Sequence, residues 1–159
     1  SVTEFITDGK RNVLPGSAIL KGDARALSTE VNETIEARIR QIVAGISSAH
    51  GVKTEVQYDT LFPSVINTST PVIAAHRAAS KIVGPKEVDN ECEPKLFSED
   101  FAHMAATKPG CFVLMGNGIQ GVNAKPLHSS DYDFNDEALS YGSSFWVQLV
   151  EQELSRSIE

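Results

Sequence analysis

The sequence predicts an α/β chain in two parts: an incomplete ferredoxin-like β-β-α-β unit over residues 1–66, then an α/β portion over residues 67–159. Three observations carry this reading. Two short strand patterns, a long amphipathic helix pattern and a third strand pattern follow one another in the first part. The pattern breaks around Phe62–Asn67, where a domain boundary is expected. Beyond it, helical periodicities flank the continuous apolar run Cys111–Met115, the pattern of a strand buried on both faces.

Each element has a local reason. Val2 to Thr7 reads as a strand that begins with the first residues, without an initiator Met or a polar lead-in, which suggests a start inside a domain. Asp8-Gly9-Lys10 and Asn12-Val13-Leu14-Pro15-Gly16 are turn or loop sequences. Ser17 to Ala24 alternates as a second strand. Ser28 is placed to cap a helix whose apolar residues Val31, Ile35, Ile39, Ile42, Ile46 and Ala49 recur every three or four positions along one face. Gly51 ends it in the position favoured for a left-handed cap, and His50 beside it suits the negative end of the helix dipole. Val52 to Tyr58 alternates again and predicts a third strand. The β-β-α-β order is three-quarters of a split β-α-β unit that lacks its opening strand and helix.

In the second part, Thr70-Pro71 opens a helix with Val72, Ala75, Ala79 and Ile82 on its apolar face, stopped by Gly84-Pro85. His76 lies on or beside that face and reads as a structural residue. Ser98-Glu99-Asp100 begins a short helix to about Thr107; Glu99, Asp100 and His103 share helical spacing, and read either as capping acids with a surface histidine or as metal donors. Cys111–Met115 is followed by Gly116-Asn117-Gly118-Ile119-Gln120-Gly121. This matches the spacing of a dinucleotide-binding loop, but Asn123 and Pro126 leave no helix to receive a pyrophosphate, so the glycines are better read as allowing close backbone approach. A last helix runs from Asp136 to about Leu154, capped by Asn135, with Leu139, Gly142, Phe145, Trp146 and Leu149 inward.

Composition narrows the function. The chain has 159 residues, is 41% hydrophobic and 22% charged, and carries a formal charge of -7, so it is globular and lacks the basic stripe that a nucleic-acid backbone or an anionic membrane requires. No apolar run approaches the roughly 20 residues of a membrane span, and no signal-peptide core is present. Cys92 and Cys111 are too far apart for a C-x-x-C pair; a reducing, cytoplasmic setting is expected.

The chemistry concentrates in Leu127–Leu139, where His128 precedes Asp131, Asp133, Asp136 and Glu137. Asp131, Asp133 and Asn135 imitate the start of a calcium loop. Asp136 and Gly142, however, stand where the turning glycine and the bidentate glutamate belong, so calcium is excluded. No G-x-S-x-G elbow points to a serine nucleophile. A neutral imidazole such as His128 can ligate zinc or manganese, yet one histidine cannot hold a catalytic ion without partners from elsewhere.

Four spaced motifs carry a resemblance. Asn12-Val13-Leu14-Pro15 with Arg25, Ser98-Glu99-Asp100-Phe101, Phe112 to Gly118, and Leu127-His128-Ser129 with Asp133 to Leu139 together resemble the C-terminal portion of the dinuclear-metal amidohydrolases. That family includes hippurate hydrolase, aminoacylase and the plant hydrolases of indoleacetyl amino acids. The resemblance implies a ferredoxin-like lid, through which a homodimer forms, over residues 1–66, and a zinc-peptidase-like catalytic portion over residues 67–159. It implies that His128 is a metal ligand, that Asn12 and Arg25 hold the carboxylate or scissile carbonyl of an N-acyl amino acid, and that the Gly116 backbone borders the pocket. Two divalent metal ions, zinc or manganese, are implied for the intact enzyme and none for this chain alone. The remaining ligands, a bridging acid and a glutamate base would lie in an N-terminal half outside these residues, so the isolated chain is expected to be inactive. Phe97 replaces the family's glycine, and Ser130-Asp131 replace its proline and basic residue, which leaves the acyl group open. A stand-alone binding or dimerisation module without catalysis is the alternative.

Overall fold

The computed structural model describes residues 1–155 and contains two strands and four α-helices: β1 (Val2–Thr7), β2 (Ala18–Gly22), α1 (Thr29–His50), α2 (Ser69–Val83), α3 (Phe101–Ala105) and α4 (Ala138–Ser155). Short 3-10 turns occupy Pro85–Glu87 and Gly121–Ala124. The chain divides into two compact units, residues 1–64 with 94–99, and residues 65–93 with 100–159.

In the first unit β1 and β2 pair antiparallel, with Phe5 opposite Leu20 and Ile6 opposite Ile19, and with an irregularity between Val2 and Glu4. Gly22 is required there, because a Cβ would collide with the Ser1 carbonyl oxygen. α1 begins and ends on its expected caps. Ser28 is extended, and its hydroxyl accepts from the Val31 N–H at 3.2 Å; Gly51 closes the helix at φ 64°. Backbone and Ser28 hydrogen bonds hold the Glu30 carboxyl below its ordinary range.

The expected strand at Val52–Tyr58 is not formed. A strand exists only against a neighbour, and among the described residues β1 and β2 pair with each other alone. Residues 52–60 instead run back along α1 on side-chain bonds. Arg40 donates to the Val56 carbonyl at 2.9 Å, the Tyr58 hydroxyl donates to Asn32 Oδ1 at 2.7 Å, and Asn32 Nδ2 donates to Thr60 Oγ1 at 2.9 Å.

In the second unit the core is four small residues: Ala74, Ala75 and Ala78 on α2, and Ala102 on α3. Alanines on α2 let α4 approach closely enough for Gln152 Nε2 to donate to the Ala74 carbonyl at 3.1 Å. Gly142, Phe145 and Leu149 of α4 are half-buried as expected, but Leu139 and Trp146 are exposed. α3 is shorter than its sequence suggests because residues 94–99 associate with the first unit, where the Leu96 carbonyl accepts from Arg25; Ser98 and Glu99 therefore precede the helix.

Cys111–Met115 is likewise not a sheet strand among the described residues. Asn67 replaces the missing neighbour: its Oδ1 accepts from the Phe112 N–H at 2.8 Å, and its Nδ2 donates to the Phe112 carbonyl at 3.0 Å. Thr68 and Gly110 exchange a similar set. Val113, Leu114 and Met115 remain exposed, since burial on both faces needs flanking strands and a second covering layer. The chain exposes 13035 Å², whereas a self-contained 17.2 kDa monomer exposes about 7,800 Å². Its apolar patterning thus addresses surface that these residues do not themselves cover.

The Ser28 cap gives a direct check on α1. Ser28→Ala should lower the stability of its first turn by about 1 kcal/mol, read as faster amide exchange at Val31, while Ser28→Asp should preserve protection.

Candidate metal centre

The segment holding His128 is built around one side chain. Asn117 Nδ2 donates to the Asn123 carbonyl at 3.2 Å and to the Asp133 carbonyl at 2.7 Å, while its Oδ1 accepts from the Asn135 N–H at 2.9 Å. Next to it, Gly118 sits at φ 142°, and an added Cβ there would lie 2.9 Å from the Asn123 side chain. Within the span so pinned, Pro126 to Ser129 forms a tight turn: the Ser129 N–H and hydroxyl donate to the Pro126 carbonyl at 3.2 and 2.8 Å. His128 is the third residue of that turn and has φ 70°, the only positive φ at a non-glycine among the described residues. Type II turns reserve this position for Gly or Asn. An exposed histidine held there is a strained residue for which local folding gives no reason.

One of the neighbouring acids is engaged by a side chain, and Asn135 rather than a carboxylate leads into the last helix. Asp131 pairs with Lys125 at 2.8 Å. Asn135 Oδ1 accepts from the Glu137 N–H at 3.1 Å and its carbonyl from the Ala138 N–H at 2.9 Å, which launches α4. Tyr132 and Phe134 stack edge to face at 5.2 Å. No group of three or more His, Cys, Asp and Glu among the described residues could hold a metal ion. Burial pushes the Cys111 thiol up. A metal ion bound at His128 would therefore need donors beyond those that the described residues bring together.

The other predicted residues fall in both units. In the first, Asn12 is exposed at the tip of a two-residue turn closed by Lys10–Val13 bonds of 3.1 and 3.0 Å. Asp8 closes the larger loop: its Oδ1 accepts from the Gly16 and Ser17 N–H groups at 2.9 and 3.1 Å. Arg25 follows β2, with Nε on Asp23 Oδ2 at 2.6 Å and Nη1 on the Leu96 carbonyl. Nη2 has no partner among the described residues, which leaves its own N–H groups open. In the second unit, Gly116 has a φ that any residue can adopt, and a Cβ there would meet nothing within 4 Å. Neither backbone nor packing explains the glycine. His76 lies with Arg77 and Lys81 along an open groove of about 420 Å³ on α2 that includes none of the four site residues.

Residues 5–152 match the peptidase family M20/M25/M40. The chain belongs to this family. It is 28% identical over 150 residues to the hippurate hydrolase of Campylobacter jejuni and 30% identical over 151 residues to the N-acetylcysteine deacetylase of Bacillus subtilis. Each alignment covers 94% of this chain and 38% of the relative, so the chain spans well under half the length of these relatives. Among solved structures it is similar to the Bacillus subtilis YXEP protein, a dinuclear metal-binding peptidase of the M20 family. The TM-score is 0.77 at 29% identity, covering 94% of this chain and 40% of that one. The α/β architecture is therefore that of an M20 peptidase over the matched portion.

Two residues that organise these loops, Asn117 and Asp8, were not singled out by sequence reasoning. An asparagine between two glycines at the end of an apolar run was the available signal, because its side chain is the one hydrogen-bonding group there. Asp8 titration provides a check on the Asn12 loop. The Ser17 and Gly16 backbone bonds depress its pKa against a smaller opposing effect of desolvation. A depressed carboxyl stabilises the loop above the unfolded value of about 3.9 and loses that effect as pH falls through the folded value. An NMR titration should give an Asp8 midpoint below 3.8 with the Gly16 and Ser17 amides following it; a midpoint at or above that value would contradict the loop closure.

Proposed function

We propose that residues 1–66 form part of a lid, and residues 67–159 the C-terminal part of the catalytic domain, of a metal-dependent amidohydrolase that cleaves the amide of N-acyl amino acids of the hippurate type. The observation that carries this reading is the pinned, strained presentation of His128 within a chain of the M20 family. His128 is the metal ligand, and two divalent ions, zinc or manganese, supply the Lewis acidity that activates water. Arg25, fixed through Asp23, offers its Nη2 group to the substrate carboxylate, and Asn12 donates to the scissile carbonyl or to the carboxylate. Gly116 lets the acyl part approach backbone where a side chain would stand. The names of the relatives, which act on hippurate and N-acetylcysteine, support this substrate class. No helix among the described residues is long and apolar enough to cross a membrane.

Homodimerisation through the lid is part of the proposal. It is supported by the open edges of the β1–β2 sheet and by exposed Phe5, Ile6, Ile19 and Leu20. The same exposed surface favours the second reading, a binding or dimerisation module without catalysis.

Two measurements test the assignment, and the second separates the readings. The purified 159-residue chain should not hydrolyse hippurate or N-acetyl amino acids with added zinc or manganese, because it supplies one ligand position; measurable turnover would contradict the assignment. In the full-length protein, His128→Ala should lower the metal content found by elemental analysis while the fold persists. Unchanged stoichiometry would remove His128 from the site and favour the module.

A further inference from the structure

We propose that Asn117 is the positioning residue for His128: its carboxamide fixes the chain on both sides of the histidine and so holds the imidazole where a metal can use it. The clamp is selective in sequence. Its three backbone partners are Asn123, before the His128 turn, and Asp133 and Asn135, after it. A chain of this kind, without a strand or helix between residues 125 and 137, has no ladder to fix its course. The left-handed conformation of His128 costs roughly 1–2 kcal/mol, and a loose loop would relieve that strain by returning to negative φ. With residues 123 and 133 held against one side chain, the intervening segment has to reverse, and it does so through two consecutive turns: Pro126–Ser129, which holds His128, and Ser129–Tyr132, closed by the Tyr132 N–H on the Ser129 carbonyl at 3.2 Å.

The chemistry requires asparagine. Two donations and one acceptance use both ends of a carboxamide. Aspartate, of nearly the same shape, could still accept from the Asn135 N–H but would set oxygen against the Asn123 and Asp133 carbonyls. Glutamine keeps the donors and displaces them by a methylene. Gly118 completes the arrangement, because a side chain there would push Asn123 out of reach.

This inference rests on the reading of His128 as a ligand for its metal consequence, but not for its structural one, and the test separates the two. In the full-length protein with isotopically labelled histidine, the four histidines of this chain give separate backbone signals. Asn117→Asp should move the His128 Cα and Cβ shifts from left-handed to coil values and leave His50, His76 and His103 in place. Asn117→Gln should move the same signals less. Metal affinity by chelator competition should fall about 10–100-fold in Asn117→Asp, the range for lost outer partners of a ligand. Unchanged His128 signals in both variants would overturn the proposal whatever the metal does. Shifted His128 signals with metal retained in both Asn117→Asp and His128→Ala would support the clamp and overturn the ligand reading instead.

Discussion

The Asn117 carboxamide does for residues 117–137 what a ladder of backbone bonds does for a strand. Three hydrogen bonds from one half-buried side chain tie together a turn, a loop and the approach to α4. What is proposed for His128 depends on it. The strained φ of His128 persists because its surroundings are fixed, and Asn135 can launch α4 because its own N–H is already held. A net hydrogen bond is worth about 1 kcal/mol, so three of them are of the size needed to offset one left-handed histidine.

The same economy of means recurs elsewhere. Asn67 gives Phe112 the pair of bonds a neighbouring strand would give, and Asp8 gathers two amides to close the Asn12 loop. Side chains stand in for backbone partners because the described residues contain one two-stranded sheet and a core of four alanines. Exposed Val113, Leu114 and Met115, and the exposed stretch of α4 through Trp146, Val147 and Val150, are written for burial. The chain spans 38% of the length of its hippurate hydrolase relative, and these apolar side chains lie at its surface.

Local signals were legible in the sequence, and partnered ones were not. β1, the Ser28 and Gly51 caps, the Pro71 entry and Gly84 exit of α2, and the start of α4 all follow from residues within a few positions of one another. Val52–Tyr58 and Cys111–Met115 have strand patterns because alternation and apolarity record what a segment is suited to pack against. They cannot record whether the neighbour lies within these residues. Ser98 and Glu99 stayed outside α3 because of Arg25, a partner more than 70 positions away. The same limit applies to the site. His128 stood out by its residue type and by the four acids that follow it; the structure pairs one of them, Asp131, with Lys125 and bonds Asn135 Oδ1 to the Glu137 N–H. Asn117, which organises the segment, was visible only as part of a glycine-rich turn.

The most direct test of the clamp is the amide exchange of Asn135. Its N–H lies outside any helix or strand and would exchange at the rate of Asp133 and Phe134 if the segment were an ordinary loop. Bonded to Asn117 Oδ1, it should be protected to the level of the interior amides of α4. Exchange as fast as that of its neighbours would contradict the account.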